Sequence, residues 1–271
     1  MESSSSGLVQ VRNVTLQYKT TDHLVTATYK VSCTVQHGDR YVILGPSGCG
    51  KSTLLKAIGG FIRPVGGSIV VNGHEIREPG PDRMMVFQEF EQLMPWKTVL
   101  QNVMFPMQVA KKYTRSEVRD RALSAIDKVS LSKFAKVYPH MLSGGMKMRV
   151  AIARAMALEP DVLLMDEPFA ALDALTRRKM QEELLSLWDQ LRFTMLFVTH
   201  SIEEAIVVGS RILILSPHPG RVRAELEAGA LSYAEVDSPA FGVLSKRIHT
   251  LLFEDEPKHA PEPASAAAGS H

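Results

Sequence analysis

Hydrophobic positions along the chain follow two different periods, and each period predicts a different kind of element. In residues 8–38 apolar and polar side chains alternate in places, which is typical of antiparallel strands. Short apolar runs at 41–44 and 161–165 instead predict strands that are buried on both faces. From about residue 91 to 158 the spacing becomes helical, most clearly over 116–129.

After residue 160, strands and helices alternate along the chain. The predicted elements are a helix over 174–192, a strand over 194–198, a helix over 201–208 and a strand over 211–215. Ser201 and Glu204 have the spacing of a capping box at the start of the third of these. A final amphipathic helix is predicted over 240–253.

These elements define the fold class as α/β. Alternating strands and helices predict a mainly parallel sheet in the core. Residues 8–38 are predicted to form antiparallel strands of a separate β subdomain. A further strand is predicted at 69–71, followed by the hairpin signal Asn72-Gly73. The helical stretch at about 91–158 is predicted to be a helical subdomain that is inserted into the core.

A glycine-rich loop follows the strand at 41–44 and matches the phosphate-binding pattern G-x-x-x-x-G-K-[ST]. Glycines let the backbone close around phosphate oxygens, and successive N–H groups form a nest for the anion. Lys51 places an ammonium on the β- and γ-phosphates, and the Ser52 hydroxyl is suited to Mg²⁺. We therefore predict a P-loop NTPase core. Its nucleotide-binding residues are Gly45, Pro46, Ser47, Gly48, Cys49, Gly50, Lys51, Ser52 and Thr53.

Two carboxylates, Asp166 and Glu167, end the strand at 161–165. Asp166 can hold Mg²⁺, and Glu167 can orient or deprotonate a water molecule. An acidic, solvated turn would explain the pair by itself. The phosphate-binding loop in the same chain favours the catalytic interpretation.

A Leu-Ser-Gly-Gly sequence at 142–145 precedes a helical stretch rich in Ala and Arg. Ser143, Gly144 and Gly145 offer a hydroxyl and free N–H groups to an anion, although an ordinary helix cap would explain these three residues alone. The order of motifs decides between the two, with the phosphate loop first, then Leu-Ser-Gly-Gly, the acidic strand end and Val-Thr-His at 198–200. In this order they resemble the nucleotide-binding domain of ATP-binding-cassette (ABC) proteins.

The resemblance implies ATP and Mg²⁺ as cofactors and gives roles to further residues. Tyr18 sits where the family places an aromatic ring that stacks on adenine, with Tyr29 as a weaker alternative. Gln88 resembles the glutamine that touches Mg²⁺ and the attacking water, and His200 resembles the histidine that contacts the γ-phosphate. Asp173 is similar to an aspartate that crosses to the partner subunit. The implied catalytic residues are Lys51, Gln88, Glu167 and His200, and the implied metal ligands are Ser52, Gln88 and Asp166.

One position departs from the usual signature of the family, which has Gln after Leu-Ser-Gly-Gly. Here the residue is Met146, which is similar to the nitrate, sulfonate and taurine branch of importers. Two other stretches, at 87–99 and 216–221, resemble the same branch.

Composition and charge argue against some other functions, such as nucleic-acid binding. The chain has 271 residues and a net charge of +2, with no long basic run, so we expect no nucleic-acid partner. The two cysteines, Cys33 and Cys49, suit a reducing cytosol. An adduct on Cys49 would block the phosphate nest, so we expect thiol alkylation to inactivate the protein. No apolar run approaches the roughly 18 residues of a membrane helix, so we expect another chain to form any pore.

The resemblance, the composition and the hydrophobic pattern together predict a domain organisation. Residues 1–7 are predicted to be disordered, 8–225 form the nucleotide-binding domain, 226–254 form a C-terminal extension with one helix, and 255–271 form a disordered tail.

The expected function is that of the ATP-hydrolysing subunit of an ABC importer. Two copies would pair head to tail as a homodimer, with each ATP between the phosphate loop of one chain and residues 143–145 of the other. Integral-membrane permease subunits and a separate solute-binding protein are the implied partners, and the cytoplasmic face of the cell membrane is the implied location. The sequence does not identify the transported solute.

Two other functions compete with this one. A soluble ATPase of the same superfamily, acting in DNA repair, chromosome organisation or translation, usually carries long coiled-coil insertions or two cassettes, and this chain has neither. A nucleotide-binding regulator without turnover is disfavoured because Glu167 is present.

Overall fold

A computed structural model describes residues 7–19, 23–87, 92–229 and 231–253. Gln88 lies outside these ranges, as do most of the segment 1–7 and all of 255–271, for which disorder is predicted. Within the described ranges the chain forms two β-sheets and seven α-helices. In chain order the elements are β1 (Val9–Lys19), β2 (Leu24–Val35), β3 (Arg40–Leu44), α1 (Lys51–Ile58), β4 (Gly66–Val71), β5 (His74–Glu75), β6 (Arg83–Val86), α2 (Val99–Ala110), α3 (Arg115–Lys128), α4 (Gly144–Met156), β7 (Val162–Asp166), α5 (Ala174–Leu191), β8 (Thr194–Thr199), α6 (Ile202–Val208), β9 (Arg211–Leu215), β10 (Val222–Glu227) and α7 (Pro239–Phe253).

The first sheet is antiparallel and confirms the strands that the alternating pattern predicts near the start of the chain. Its strand order is β2-β1-β4-β5. Val9 in β1 pairs with Val35 on one side and with Val71 on the other. The predicted hairpin joins β4 to β5 through Asn72 and Gly73, which both have the positive φ of a tight hairpin turn (48° and 80°).

The second sheet is mainly parallel, as predicted, with the order β10-β9-β3-β8-β7-β6 and with β10 antiparallel to β9. Leu44 pairs with Thr199, and Asp166 pairs with Val198. The carboxyl ends of β3, β8 and β7 therefore lie side by side at one edge. Ligands of open parallel sheets bind outside this edge, so the three loops that leave it define where a site can form.

The predicted helices and strands after residue 160 agree with the structure to within about one residue at each end. Strand β10 is the exception, because nothing in the sequence pattern predicts it. Charged residues occupy half of its positions, and its sequence, VRAELE, gives it only one fully buried side chain. It crosses residue 225, where the sequence analysis places the end of the nucleotide-binding domain.

The parallel sheet separates two hydrophobic cores. Along β3, Tyr41 and Ile43 face the core that is shared with α1 and the antiparallel sheet, whereas Val42 and Leu44 face the core that is shared with the other helices. This alternation is why the run at 41–44 is apolar throughout. Within the described ranges, no helix combines the length and the hydrophobicity that are needed to cross a bilayer.

Candidate active site

The glycine-rich loop joins β3 to α1 and is packed closely against its neighbours. Gly48 and Gly50 have φ values of 78° and 93°, the left-handed conformation that glycine adopts without strain. A Cβ on Gly50 would also lie 2.7 Å from the carbonyl oxygen of Ala27 in β2. Glycine at position 50 is therefore needed both for the backbone turn and for the contact with the antiparallel sheet.

Lys51 is held inside the curve of this loop. Its Nζ donates hydrogen bonds to the carbonyl oxygens of Gly45 (2.9 Å) and Pro46 (3.0 Å). The same Nζ lies 3.9 Å from Oε1 of Glu167, and only 4% of the Lys51 side chain is exposed. The ammonium group thus stands between the loop and the acidic strand end, where the phosphates of a nucleotide would need it.

Ser52 and Asp166 meet across the sheet edge, although 114 residues separate them in sequence. The Ser52 hydroxyl donates to Oδ1 of Asp166 over 2.7 Å. Burial raises the pKa of Asp166, and the hydrogen bond from Ser52 acts in the opposite direction. A hydroxyl oxygen and a carboxylate oxygen side by side are hard ligands of the type that Mg²⁺ prefers.

Glu167 has an unusual backbone, with a φ of 44° in a residue that is not glycine. Its N–H donates to the carbonyl oxygen of Val198 in β8 over 3.1 Å, which holds it in this conformation. Oε2 of Glu167 lies 2.9 Å from Nδ1 of His200, the residue that follows β8. The carboxylate is therefore placed between the Lys51 ammonium and the His200 imidazole.

Ser143 and Asp173 are both N-caps. Oγ of Ser143 accepts from the N–H of Met146 (3.3 Å) at the start of α4, and Oδ1 of Asp173 accepts from the N–H of Thr176 (3.0 Å) at the start of α5. Hydrogen bonds from Thr176 lower the pKa of Asp173. In the described part of the chain, no hydrogen bond or ion pair joins either residue, Gly144 or Gly145 to the phosphate loop.

The two tyrosines considered for stacking on adenine differ in their surroundings. The Tyr18 side chain in β1 is 48% exposed. The ring of Tyr29 is already in contact with the guanidinium of Arg221, 4.4 Å from the ring centroid. Of the two rings, that of Tyr18 is the more accessible, and Tyr29 is only partly exposed.

Cys49 lies within the loop but is fully buried, and Cys33 is also buried and free. Burial raises the pKa of both thiols, to about 12 for Cys33. The thiolate is the reactive form, so we expect Cys49 to be alkylated only slowly in the folded protein.

Arg177 holds the segment between Glu167 and Asp173, a role that the sequence pattern does not predict. Its Nε donates to the carbonyl oxygen of Phe169 (3.2 Å) and its Nη2 donates to that of Leu172 (2.8 Å). An arginine in the first turn of α5 carries no sequence signal for this role, because the contacts depend on how the preceding loop folds back.

The capping box at Ser201 and Glu204 is only half formed. The Ser201 hydroxyl accepts from the N–H of Glu204 (3.3 Å), as predicted. The N–H of Ser201 donates to Oγ1 of Thr199 (3.0 Å) and not to the Glu204 carboxylate. That carboxylate is buried and accepts instead from Thr199 and from Gln181 of α5. Two buried donors outcompete the local backbone donor, which spacing alone could not reveal.

Comparison with known proteins agrees with this geometry. The sequence profile described as ABC transporter matches residues 29–170. The chain is 45% identical over 240 residues to the taurine import ATP-binding protein TauB of Rhizobium johnstonii, covering 86% of this chain and 91% of that protein. It is 42% identical over 219 residues to the bicarbonate transport ATP-binding protein CmpD of Synechocystis sp., covering 80% and 77%.

The fold is also similar to that of a solved ABC cassette structure. The ATP-binding cassette MJ0796, in a dimeric post-hydrolysis state bound to ADP and Pi, has a TM-score of 0.69 and 33% identity, covering 82% of this chain and 100% of that chain. The chain therefore belongs to the ABC transporter family, of which it is an ATP-binding, ATP-hydrolysing subunit.

Proposed function

We propose that this chain is the ATPase subunit of an importer of the nitrate, sulfonate and taurine type, and that it couples ATP hydrolysis to solute uptake through a separate permease. The observation that carries the proposal is the position of Glu167, with Nζ of Lys51 3.9 Å from one oxygen and Nδ1 of His200 2.9 Å from the other. Met146 and the likeness to TauB support the branch.

In the proposed reaction Glu167 is the general base. The oxygen of a water molecule bonds to the γ-phosphorus, the bond between that phosphorus and the bridging oxygen breaks, and ADP leaves with the electron pair. Glu167 takes the proton of the water. His200 orients the carboxylate, and Lys51 offsets the negative charge that the phosphates bring to the loop.

We propose that Ser52, Asp166 and Gln88 hold Mg²⁺. The 2.7 Å contact between Ser52 and Asp166 supports the first two ligands, and Gln88 lies outside the described residues. No cluster of three His, Cys, Asp or Glu side chains suited to a metal occurs in the described ranges. Mg²⁺ usually binds through one or two carboxylates together with phosphate and water, and Asp166 supplies the carboxylate in the proposed site. When bound, the ion neutralises charge on the phosphates.

The composite site is proposed to form in a head-to-tail homodimer. Residues 45–53 and Tyr18 of one chain bind the phosphates and the adenine, and Ser143, Gly144, Gly145 and Asp173 of the other chain complete the site. Two observations support this arrangement. Ser143 and Asp173 are exposed and, among the residues that the structure describes, make no hydrogen bond to the phosphate loop of their own chain, and the similar MJ0796 cassette is a dimer.

Permease subunits and a solute-binding protein are the proposed partners, and the proposed location is the cytoplasmic face of the cell membrane. Phe61 and Trp96 are among the aromatic side chains that are exposed, at 51% and 72%. We propose that these two side chains contact the permease. Similar relatives are named for taurine and for bicarbonate, so we assign solute selectivity to the partner chains.

Purification of the tagged chain from membranes of its native host tests the proposal. We expect an integral-membrane protein to copurify and ATP hydrolysis to require Mg²⁺. Copurification of nucleic acid or ribosomes in place of a membrane protein would support the soluble-ATPase alternative and contradict the importer.

A further inference from the structure

A buried chain of hydrogen bonds links the C-terminal segment, residues 231–253, to the loop that carries His200. The Tyr233 hydroxyl donates to Oε1 of Gln181, and Nε2 of Gln181 donates to one oxygen of Glu204. The Thr199 hydroxyl donates to the other oxygen of Glu204. Gln181, Thr199 and Glu204 are only 0%, 2% and 8% exposed, so water does not replace these partners.

The three hydrogen bonds, donated by Tyr233, Gln181 and Thr199, all lead toward the Glu204 carboxylate. Each carboxylate oxygen of Glu204 has a hydrogen-bond partner, Gln181 on one and Thr199 on the other. Burial raises the pKa of Glu204, while the hydrogen bonds from Thr199 and Gln181 act in the opposite direction. Because the NH₂ group of Gln181 donates to Glu204, the amide oxygen of Gln181 faces Tyr233. Without the Tyr233 hydroxyl this buried oxygen would lose its partner.

At its Thr199 and Glu204 end, the hydrogen-bond chain fixes the backbone on both sides of His200. Oγ1 of Thr199 accepts from the N–H of Ser201 (3.0 Å), and the Ser201 hydroxyl accepts from the N–H of Glu204 (3.3 Å). His200 lies between these two anchored residues, and its imidazole contacts Glu167. Glu167, His200 and Glu204 are among the residues that line a small cavity of about 40 Å³. The hydrogen-bond chain therefore lies next to the proposed base.

The C-terminal segment is firmly docked on the domain. Phe241, Ile248 and Leu252 of α7 are buried in the same core as α6, the helix that begins two residues after His200. The guanidinium of Arg178 in α5 lies 5.0 Å from the centroid of the Tyr233 ring. Tyr233 is therefore held in place by its surroundings as well as by its hydroxyl.

We propose that the C-terminal segment is a positioning element for ATP hydrolysis. Tyr233, through Gln181 and Glu204, holds the loop at 199–201 so that His200 stays against Glu167. Tyr233, Gln181 and Glu204 are positioning residues, since each is argued to act through another residue on the His200 loop. The inference rests on the proposed roles of His200 and Glu167.

Tyr233→Phe in the full chain is the direct test, because it removes the hydroxyl and keeps the ring. Tyr138→Phe is the matched control, since that exposed ring stacks on His140 and no hydrogen bond of its hydroxyl is found in the described structure. We expect kcat to fall about fivefold in Tyr233→Phe, the rate equivalent of one ordinary hydrogen bond, with KM for ATP unchanged. The imidazole NMR signal of His200, assigned with His200→Ala, should also shift in Tyr233→Phe and not in the control.

Glu204→Gln is the second variant, with the exposed neighbour Glu203→Gln as its control. An amide cannot accept at both ends, so we expect a larger loss of kcat than in Tyr233→Phe. The double variant Tyr233→Phe/Glu204→Gln should be no slower than Glu204→Gln alone, because both substitutions interrupt the same hydrogen-bond chain. If Glu204→Gln does not fold, Tyr233→Phe decides alone.

Wild-type kcat together with an unchanged His200 signal in Tyr233→Phe would overturn the inference. A fall in kcat matched by an equal rise in KM and a lower melting temperature, with the His200 signal unmoved, would also overturn it, because it would show general destabilisation. A wild-type protein without ATPase activity would contradict the proposed function, and the His200 signal would still decide the inference.

Discussion

Nδ1 of His200 lies 2.9 Å from Oε2 of Glu167, although 33 residues separate the two. The contact follows from sheet topology, because β7 and β8 are parallel neighbours and Asp166 pairs with Val198. On the other side of the same carboxylate is the Lys51 ammonium, 3.9 Å from Oε1. The proposed base is thus fixed by loops from three strands, and each loop can be tested separately.

Lys51→Ala should lose most of its ATP affinity. The loop would lose its one ammonium group, and a charged hydrogen bond to phosphate is worth roughly 10- to 100-fold in binding. Equilibrium binding of a fluorescent ATP analogue measures this loss, with the exposed Lys133→Ala as the control. Unchanged affinity in Lys51→Ala would mean that residues 45–53 are not the phosphate site.

Both cysteines should resist alkylation in the native protein and react rapidly once it is unfolded. Cys49 is 0% exposed and Cys33 is 6% exposed, and the raised pKa of each thiol leaves little thiolate at neutral pH. Mass spectrometry after timed treatment with iodoacetamide, with and without denaturant, measures this difference. Rapid labelling of Cys49 in the folded protein would contradict the packing of the phosphate loop.

Ser143→Arg should bind ATP as a monomer and still fail to hydrolyse it. The hydroxyl caps α4 at the surface, and a bulky cation there would block the contact with the phosphate of the partner chain. Steady-state hydrolysis and monomer binding are the two measurements. Normal hydrolysis in this variant would return residues 142–145 to the role of an ordinary helix cap.

Mixing Ser143→Arg chains with Lys51→Ala chains tests whether sites are shared between subunits. In a head-to-tail heterodimer one site collects both defects and the other site is intact. We therefore expect hydrolysis to return in the mixture when neither variant alone is active. No recovery in heterodimers whose formation has been verified would oppose the composite site, provided that a single intact site can turn over.

The sequence predicts the parts of the site that depend on local pattern. An apolar strand, a glycine-rich loop and a helix identify Lys51 and Ser52, and the strand that ends in Asp166 and Glu167 is equally clear. Their proximity also follows from general rules, because carboxyl ends of parallel strands meet at one edge. Ser52 and Asp166 are in contact for this reason.

The hydrogen bonds that link Glu204, Gln181 and Tyr233 behind the site could not be predicted, because they depend on tertiary packing. Glu204 has the spacing of a capping residue, yet its carboxylate turns inward to Thr199 and Gln181. Gln181 is one polar residue among many in α5, and only the packed fold shows that it is fully buried. Tyr233 reaches Gln181 from a segment whose position on the domain no local pattern encodes.

The most direct test of the account is hydrolysis by Glu167→Gln. The amide keeps the shape of the side chain and cannot take a proton from water, so we expect ATP binding to persist and turnover to fall by about 10²- to 10⁴-fold. The exposed Glu203→Gln should behave as wild type in the same assay. The variant should also accumulate as an ATP-bound dimer on size-exclusion chromatography. Full turnover by Glu167→Gln would contradict the assignment of Glu167 as the base and would make His200 the next residue to test.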